Sequence, residues 1–479
     1  MLSSVYCLLS CGDLHLLPVN SSKELEKSTN KISSKHDLSF ASPSSSSLAL
    51  GPESDLVDKS NTQKVINVNN NNILNNNSTH SMYLPNHFIK LSATPVEEDV
   101  ILKKELKNML SLIFPSWSQD DLSVIQLTGG ITNMLLHCKN LKTNEAVLIR
   151  TYGQGTNLII DRDREFVSQM LLNSFNLAPS IHARFANGLV YGFLPGRSLT
   201  PEELSHPVLY PLIAQRLGHW HNVINGDDIE EGIKKLRIFR KEHYKGEKIV
   251  KNIWEILQKW INILPEIEAL YSKCLQYKHL LEIYKTSSAT KKYTLNEILL
   301  KELHWLTKTI ADKSPKVSCH SDLLSGNIII PPELSEELKS GRTEMTPLDQ
   351  PLELNPISFI DYEYMLPAPR AFDISNHFIE WQGFDCDQSK IPEPSKENPI
   401  MRNWAKAYLS ACSTSNCTEA QVDNLIDEIS TYYGMPGFYW GIWAGIQDKI
   451  SLIDFDYMTF SCQRFEQYFF WKEKYIKRV

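Results

Sequence analysis

The sequence predicts an α+β protein of two lobes, a small β-rich lobe followed by a larger, mostly helical one. Short β-type runs cluster between about residues 124 and 193, and helical apolar spacing dominates from about residue 211 onwards. The first 82 residues are polar and repetitive instead. With 479 residues, of which 42% are hydrophobic, the chain can bury a sizeable core.

Residues 1–82 are predicted to form a disordered extension. The serine run from Ser44 to Ser47 and the asparagine-rich stretch from Asn67 to Asn77 contain little apolar surface to offset the entropy lost on ordering. The N-terminal residues lack the basic start of a secretory signal, and no apolar run is long enough to predict a membrane helix. We therefore expect ordered structure to begin near Tyr83.

The predicted N-lobe spans residues 83–196. A helix is expected over Glu97–Phe114, because Pro115 cannot continue it. The order that follows is strand, glycine turn, strand, strand, helix, strand, which is that of a protein-kinase N-lobe. The strands are predicted at Val124–Leu127, Met134–Cys138, Ala146–Arg150 and Gly188–Phe193, and the helix at Arg164–Leu172.

The predicted C-lobe spans residues 197–479. Apolar residues recur at helical spacing in Pro211–Val223, in most of Ile249–Lys308 and in Asn403–Lys474. Together the two lobes predict a protein-kinase-like fold, with the catalytic and substrate sites on the C-lobe.

Two acidic motifs indicate phosphoryl transfer. His320, Asp322 and Asn327 form H-x-D-x-x-x-x-N before an apolar run, and Asp361 follows a second apolar run. In kinases, the first aspartate accepts the proton of the attacking hydroxyl, and the asparagine and second aspartate hold Mg²⁺. The first motif alone is equally explained by a buried histidine–aspartate hydrogen bond. Both motifs in this order favour a catalytic site that uses ATP and Mg²⁺.

A glycine turn between the first two predicted strands is suited to phosphate binding. Gly129 and Gly130 let backbone N–H groups approach a triphosphate, and Thr128, Thr132 and Asn133 add hydroxyl and amide groups. A plain hairpin turn is the alternative explanation.

Arg150 ends the third predicted strand, where protein kinases place a phosphate-binding cation. Glu165, in the following helix, is its expected ion-pair partner, although the charged run around it also suits a solvated helix face. The segment Gly192, Phe193 and Leu194 is the predicted hinge, whose backbone groups would contact adenine.

The motif segments resemble those of the choline/ethanolamine kinase family. His320–Ile328 (HSDLLSGNI) and Phe359–Trp381 (FIDYEYMLPAPRAFDISNHFIEW) are similar to its signatures. The Leu-Leu-Ser-Gly sequence within the first segment is most like that of its ethanolamine kinase branch. The family also has a G-G-[ILM]-[ST]-N loop and an arginine at the position of Arg150. The resemblance extends from about Thr128 to about Phe470. It implies ATP-dependent phosphorylation of ethanolamine to phosphoethanolamine, the first step of the CDP-ethanolamine route to phosphatidylethanolamine.

An acid and a set of aromatic residues are the candidate amine site. Glu380 is the proposed acid, and Trp440 and Trp443 lie one helical turn apart on a shared face. Tyr364 and Tyr457 complete the predicted substrate residues. Aromatic faces attract an ammonium group by cation–π interaction. An ordinary aromatic core is the alternative, and the family resemblance favours the amine pocket.

The expected partner is a small substrate, ethanolamine, while choline kinase or dual activity and an inactive kinase-like binding module remain alternatives. Protein kinase activity is disfavoured because no D-F-G or A-P-E segment is in place. The net charge of −7 argues against a nucleic-acid partner. Nine scattered cysteines are typical of free thiols in the cytoplasm. The sequence leaves a homodimer open.

Overall fold

The computed structural model describes most of the chain beyond residue 80 and a short segment before it. The described residues are 64–66, 81–90, 95–129, 134–153, 156–240, 248–285, 291–344, 351–383, 385–412, 417–451 and 453–478.

Twelve strands and fourteen helices are named here in chain order from these residues. The strands are β1 Lys64–Ile66, β2 Ser81–Leu84, β3 Leu122–Gly129, β4 Met134–Asn140, β5 Ala146–Thr151, β6 Ile181–Phe185, β7 Gly188–Gly192, β8 Arg197–Ser198, β9 Lys316–Cys319, β10 Ile328–Ile330, β11 Ser358–Phe359 and β12 Leu366–Pro369. The helices are α1 Val100–Ile113, α2 Arg162–Ser174, α3 Leu209–Val223, α4 Gly226–Phe239, α5 Ile253–Ile263, α6 Glu268–Gln276, α7 Glu282–Lys285, α8 Leu295–Ile310, α9 Pro332–Lys339, α10 Arg370–Ile379, α11 Pro399–Ser410, α12 Glu419–Tyr432, α13 Met435–Ile450 and α14 Tyr457–Arg478.

The β-rich lobe is a seven-stranded sheet in the order β1-β2-β6-β7-β5-β4-β3. Its pairs are antiparallel except β2 with β6, which is parallel. Asp99 caps the N-terminus of helix α1 by accepting the amide of Leu102 at 2.9 Å, and the helix ends before Pro115 as predicted. Its apolar face, including Leu106 and Leu110, packs on the sheet in one buried cluster. The predicted strand–turn–strand–strand–helix–strand order is confirmed.

Two features of this lobe differ from the prediction. Strand β1 lies within residues 1–82 and β2 begins there at Ser81, so the described strands of the sheet start upstream of the predicted boundary at Tyr83. The rest of that extension lies outside the described residues. Strand β6 was missed because His182 and Arg184 interrupt its apolar pattern. Arg184 is buried there because its guanidinium donates to the carboxylate of Asp163 at 2.8 Å.

The predicted C-lobe is mostly helical, as expected, and the structure gives the boundaries of its helices. The long helical segment 249–308 is divided into α5 to α8, and α5 ends at Ile263, just before Pro265. The C-terminal segment is divided into α11 to α14, with α13 packed along α14. Two large buried clusters form the core of this lobe. Among the described helices, none combines the length and the apolarity needed to cross a bilayer.

Short strands position the two acidic motifs. The loop 320–327 lies between β9 and β10, and β10 pairs with β11 through Ile328 and Phe359. Asp361 follows β11 and is therefore brought back beside that loop. Strand β8 pairs with the other side of β10, and Gly196 before it has φ +140° with no room for a Cβ atom, because the carbonyl oxygen of Ile330 would lie 2.2 Å away.

Candidate active site

The loop 320–327 is held from within by a buried aspartate of α10. The Asp373 carboxylate accepts the backbone amides of His320 and Ser321, each at 2.8 Å, and Nε2 of His221 at 2.9 Å. Burial opposes its charge, but the hydrogen bond and charge of His221 are enough to lower the pKa of Asp373. Cys319 completes a group with metal-ligand spacing, yet these hydrogen bonds already employ the carboxylate. We therefore interpret the group as a brace.

His320 connects the two motifs. Its Nε2 lies 3.0 Å from the carbonyl of Ile360, which can only accept, so Nε2 carries the proton. Its Nδ1 then accepts the amide of Asp322 at 3.3 Å. Burial lowers the pKa of His320, which agrees with this neutral form. The histidine of the motif thus joins the loop to the segment that carries Asp361.

Asp322 is buried and faces other acids. The Asn327 side-chain amide donates to its backbone carbonyl at 2.8 Å and to its carboxylate at 3.2 Å. Burial, and then the nearby charges of Asp361, Glu380 and Glu363, raise the pKa of Asp322 to about 8. Four carboxylates from three segments therefore converge where a cation or a proton would be stabilised.

The predicted metal ligands meet at this place. Oδ1 of Asn327 is buried and has no hydrogen-bond partner among the described residues, which fits an atom reserved for a hard cation. Asp361 has φ +66°, a left-handed conformation that is uncommon for an aspartate and recurs at functional sites. Ser321, on the loop, has the same φ of +66°.

Arg150 connects the β-rich lobe to these acids. Its guanidinium contacts the carboxylates of Asp361 at 3.0 Å, Glu363 at 2.5 Å and Glu165 at 3.6 Å. The predicted Arg150–Glu165 ion pair is present, but it is the longest of the three. Burial works against the charge of Arg150, and the three carboxylates more than offset it and raise its pKa.

Arg162 extends this network of ion pairs. Its Nη1 donates to Glu165 at 2.8 Å and to Glu363 at 3.0 Å, while its Nη2 donates to Thr156 at 2.9 Å. The guanidinium carbon lies 4.1 Å from the ring centre of Tyr152. Glu363 is therefore shared between two arginines.

The predicted phosphate loop is described only at its ends. Strands β3 and β4 pair up to Gly129 and Met134, with an irregularity between Gln126 and Thr128, so the hairpin is confirmed. The loop residues Gly130, Thr132 and Asn133 lie outside the described residues.

The predicted hinge follows β7. The Gly192 amide donates to the carbonyl of Ser180 at 2.9 Å, and the Phe193 amide lies 3.4 Å from the carbonyl of Ala146. Two of the amides expected to contact adenine are thus engaged within the lobe.

The predicted aromatic residues form one buried group. The ring centres of Trp440 and Trp443 lie 5.3 Å apart and nearly perpendicular, and Tyr364 and Tyr457 lie within 6.0 Å of one or the other. The Trp443 N–H donates to the Tyr364 hydroxyl at 2.8 Å. The hydroxyl of Tyr457 lies 2.8 Å from that of Ser451. The polar ends of Tyr364, Trp443 and Tyr457 are thus hydrogen-bonded, and the rings pack edge to face on one another.

Asn376 joins this aromatic group to the catalytic loop. Its side-chain oxygen accepts the Trp440 N–H at 2.7 Å, and its amide donates to the carbonyl of Ser321 at 2.9 Å. His377, the next residue, donates from Nδ1 to the carbonyl of Leu323 at 3.0 Å, and burial lowers its pKa to about 4. It is therefore a hydrogen-bonded core histidine.

Glu380 lies at the end of α10 and is 6% exposed. Its Oε1 atom is buried without a hydrogen-bond partner among the described residues. Burial raises the pKa of Glu380, and the charge of the buried Arg464 opposes that rise. Arg464 is linked to the same turn, since it donates to Gln467 at 3.0 Å and Gln467 donates to Gln382 at 2.8 Å.

Sequence reasoning missed three residues that organise this site. Glu363 lies two residues after Asp361, and that spacing within an extended segment was the signal that could have indicated it. Arg162 precedes Glu165 by three residues, which indicates a shared helical face. Asn376 carried no signal, because its two partners are distant in sequence.

The chain matches known proteins over this whole region. A family model described as choline/ethanolamine kinase matches residues 124–469. Mouse ethanolamine kinase 1 is 29% identical over 366 residues, 76% of this chain and 87% of that protein. Human ethanolamine kinase 2 is 30% identical over 377 residues, 78% of this chain and 82% of that protein.

Solved structures match the fold. An ethanolamine kinase from Plasmodium vivax has a TM-score of 0.57 and 26% identity, and the match covers 79% of this chain and 91% of that one. A choline kinase from Cryptosporidium parvum has a TM-score of 0.51 at 19% identity, over 78% and 96% of the two chains, and supports the fold alone.

Proposed function

The chain belongs to the choline/ethanolamine kinase family, and from that premise we propose that it transfers the γ-phosphoryl group of ATP to the hydroxyl of ethanolamine. The product, phosphoethanolamine, would enter the CDP-ethanolamine route to phosphatidylethanolamine. The observation that carries this proposal is the convergence of Asp322, Asn327 and Asp361 beside an aromatic group, to which Asn376 joins the catalytic loop by hydrogen bonds.

Asp322 is the proposed general base. A base is most effective when its pKa lies near the working pH, and burial with neighbouring acids brings the pKa of Asp322 to about 8. Asn327 orients its carboxylate by the 3.2 Å hydrogen bond. Asp373 and His320 fix the loop by hydrogen bonds and would not contact the substrate.

Asn327 and Asp361 are the proposed magnesium ligands, since both offer oxygen atoms and Oδ1 of Asn327 lacks another partner among the described residues. Bound Mg²⁺ would neutralise the β- and γ-phosphates of ATP. Arg150 would contribute to the same neutralisation from the β-rich lobe. The loop Thr128, Gly129, Gly130, Thr132 and Asn133 is the proposed phosphate cradle, and Glu165 positions Arg150.

The amine is proposed to lie among Tyr364, Trp440, Trp443 and Tyr457, with Glu380 as the acid. A primary ammonium has three N–H donors, and a buried donor without an acceptor costs about 1 to 3 kcal/mol. Oε1 of Glu380, buried and without a hydrogen-bond partner among the described residues, is an acceptor suited to such a donor. The ring faces would add cation–π attraction.

Choline is the second candidate substrate, because an aromatic group of this kind suits a quaternary ammonium equally well. The acceptor on Glu380 gives choline no hydrogen bond, and choline carries three additional methyl groups. We therefore expect kcat/KM for ethanolamine to exceed that for choline by at least about tenfold, or roughly 1.4 kcal/mol.

Turnover with ATP and Mg²⁺ on ethanolamine, its mono- and dimethyl derivatives and choline tests this proposal. A monotonic fall in kcat/KM with each methyl group is expected. Equal or better efficiency with choline would replace the substrate while keeping the kinase. No turnover with any amine would favour an inactive binding module.

We propose a cytoplasmic location for the protein. The cysteines in the described part of the chain are free thiols, which supports a reducing, cytoplasmic location. Native mass spectrometry of the whole chain would test the homodimer that the sequence left open.

A further inference from the structure

A cavity borders the Arg162–Glu363 ion pair. It has a volume of about 390 Å³ and lies among the start of α2, β6, α4, α5 and the segment 363–366. Asp322, Asn327 and Asp361 are not among its lining residues. Its charged lining consists of the bases Arg162, Arg164, Arg184, Arg237, Lys248 and Lys259 and the acids Asp161, Asp163 and Glu363.

The acids of this lining are already engaged. Asp163 accepts Arg184 at 2.8 Å, Arg240 at 2.9 Å and Arg237 at 3.3 Å. Asp161 caps α2 by accepting the amides of Asp163 and Arg164, so the helix amides there are used as well. Asp161 and Asp163 are therefore used by contacts within the cavity walls, and the basic residues outnumber the acidic ones in the lining.

Two basic residues of the lining, Arg164 and Lys259, form no ion pair with a carboxylate among the described residues. Arg164 is 4% exposed, its Nη2 donates to the carbonyl of Val250, and its Nη1 has no partner among the described residues. Burial lowers the pKa of Arg164, because the charges of Asp161 and Glu230 offset its desolvation only in part. Lys259 is exposed, and no described carboxylate lies within ion-pair distance of it. Lys248, in contrast, pairs with Glu255 at 2.9 Å.

The remaining wall is aromatic. Trp260, Tyr439, Tyr152 and Tyr364 line the cavity beside the bases. A volume of about 390 Å³ lies within the range of about 300 to 1,000 Å³ that is typical of small-molecule sites. The cavity is therefore large enough for a phosphate and an organic group, with rings available to cover the latter.

We infer that this cavity binds a small phosphorylated molecule, whose phosphate is held by Arg164 and Lys259. A guanidinium offers paired N–H donors that suit phosphate oxygens, and a lysine adds a mobile charge at the entrance. The cavity shares Tyr364 with the proposed amine site, but Arg164 and Lys259 belong to neither the ATP nor the amine site and are not needed for the proposed reaction.

Arg162 would couple the cavity to the active site. Its Nη1 is within hydrogen-bond distance of Glu363, which also contacts Arg150. A phosphate in the cavity would compete with Glu363 for Arg162. Glu363 would then hold Arg150 more strongly, and Arg150 would be less available to the phosphates of ATP. The expected effect is a higher KM for ATP with kcat little changed.

Calorimetric titration of the full chain with inorganic phosphate tests the site, after the active site is saturated with ethanolamine and the magnesium complex of a non-hydrolysable ATP analogue. Wild type is expected to bind one phosphate per chain. Lys259→Glu should weaken this binding at least about tenfold. Lys234→Glu is the matched control, because Lys234 is an exposed lysine of α4 outside the lining. Arg164→Gln should also weaken binding, but Lys259→Glu decides the test if that buried variant fails to fold.

Glycerol 3-phosphate, which lacks an amine, distinguishes the two sources of phosphate. Tighter binding than inorganic phosphate would identify a phosphomonoester, and equal binding would identify phosphate alone. Absence of binding at a saturated active site, or equal affinity in wild type and Lys259→Glu, would overturn the inference.

The coupling has a separate kinetic test that does rest on the proposed function. Phosphate should raise the KM for ATP of wild type at least about twofold and leave Lys259→Glu unaffected. An unchanged KM beside confirmed binding would overturn the coupling alone. Failure of the kinase assignment would leave the difference in phosphate affinity between wild type and Lys259→Glu standing, since that comparison needs no turnover.

Discussion

The two sides of the proposed active site, its phosphate side and its amine side, are built in different ways. The phosphate side is a set of charges from distant segments, in which Arg150 contacts acids that come from α2 and from the segment after β11. The amine side is a set of rings, two of which lie one turn apart on α13. The strength of an ion pair depends closely on the geometry of both partners, whereas the attraction between a ring face and a cation tolerates small shifts of the ring. The phosphate side should therefore be sensitive to conservative changes, and the amine side should act chiefly on substrate affinity.

Asp322→Asn lies where the two sides meet and should have the largest effect. Without the base, kcat should fall at least about 100-fold, since general base catalysis contributes about 10² to 10⁴. Steady-state turnover with saturating ATP and ethanolamine measures it. Asp312→Asn, the same change at an exposed aspartate, is the control, and near-normal kcat in Asp322→Asn would refute the assigned base.

Arg150→Lys tests the sensitivity of the phosphate side. A lysine keeps the charge but cannot contact Asp361, Glu363 and Glu165 together, so kcat/KM for ATP should fall about 10- to 100-fold, or roughly 1.4 to 2.7 kcal/mol. The KM for ethanolamine should change much less. Arg402→Lys is the control, because Arg402 also pairs with two acids but lies between α11 and α12. Equal KM changes for both substrates would show that the two sides are not separable.

Glu380→Gln tests the amine side. The ammonium lies away from the reacting oxygen, so the KM for ethanolamine should rise about tenfold with kcat changed much less. Choline, which donates no hydrogen bond, should be affected less than ethanolamine. Glu393→Gln, the same change at an exposed glutamate farther along the chain, is the control. A loss confined to kcat would place Glu380 at the reaction centre.

The raised pKa of Asp322 predicts a pH-dependent stability. Because the pKa is about 8 in the folded protein and ordinarily near 3.8, the folded state holds this proton more tightly. That stabilisation is complete below about pH 4 and is lost as the pH rises to 8 and above. The Tm of Asp322→Asn relative to wild type should therefore be a few degrees higher at pH 8 than at pH 5 in thermal melts without ATP. A constant difference in Tm would show that Asp322 titrates normally.

A truncation that removes β1 and β2, which lie outside the proposed active site, should lower the stability of the protein and leave kcat almost unchanged. Deleting residues 1–84 removes β2, whose Leu84 is buried and whose Tyr83 ring lies 6.0 Å from that of Phe239 on α4. Its Tm should fall by several degrees relative to deletion of residues 1–63, with kcat retained. Equal Tm values would show that β1 and β2 add nothing to the sheet.

Residues whose role depends on local spacing could be predicted from the sequence, whereas residues whose role depends on distant contacts could not. Asp322, Asn327 and Asp361 were indicated by their types and order, because a loop and the strand that follows it are short-range features. The glycine hairpin and Arg150 were indicated for the same reason. Strand β6 was not, because the charge that interrupts its pattern is compensated by Asp163, which lies 21 residues earlier in the chain.

By itself, the sequence determined the two-lobed fold class, the acidic motifs and the aromatic turn of α13, since each depends on residues that lie close together along the chain. Only the tertiary structure decided that Arg150 meets Asp361 across 211 residues, that Glu363 is shared with Arg162, and that Asn376 links the loop to Trp440. A pairing over such separations leaves no periodicity in the sequence, because it is the packing of the lobes and short strands that brings the partners within hydrogen-bond distance.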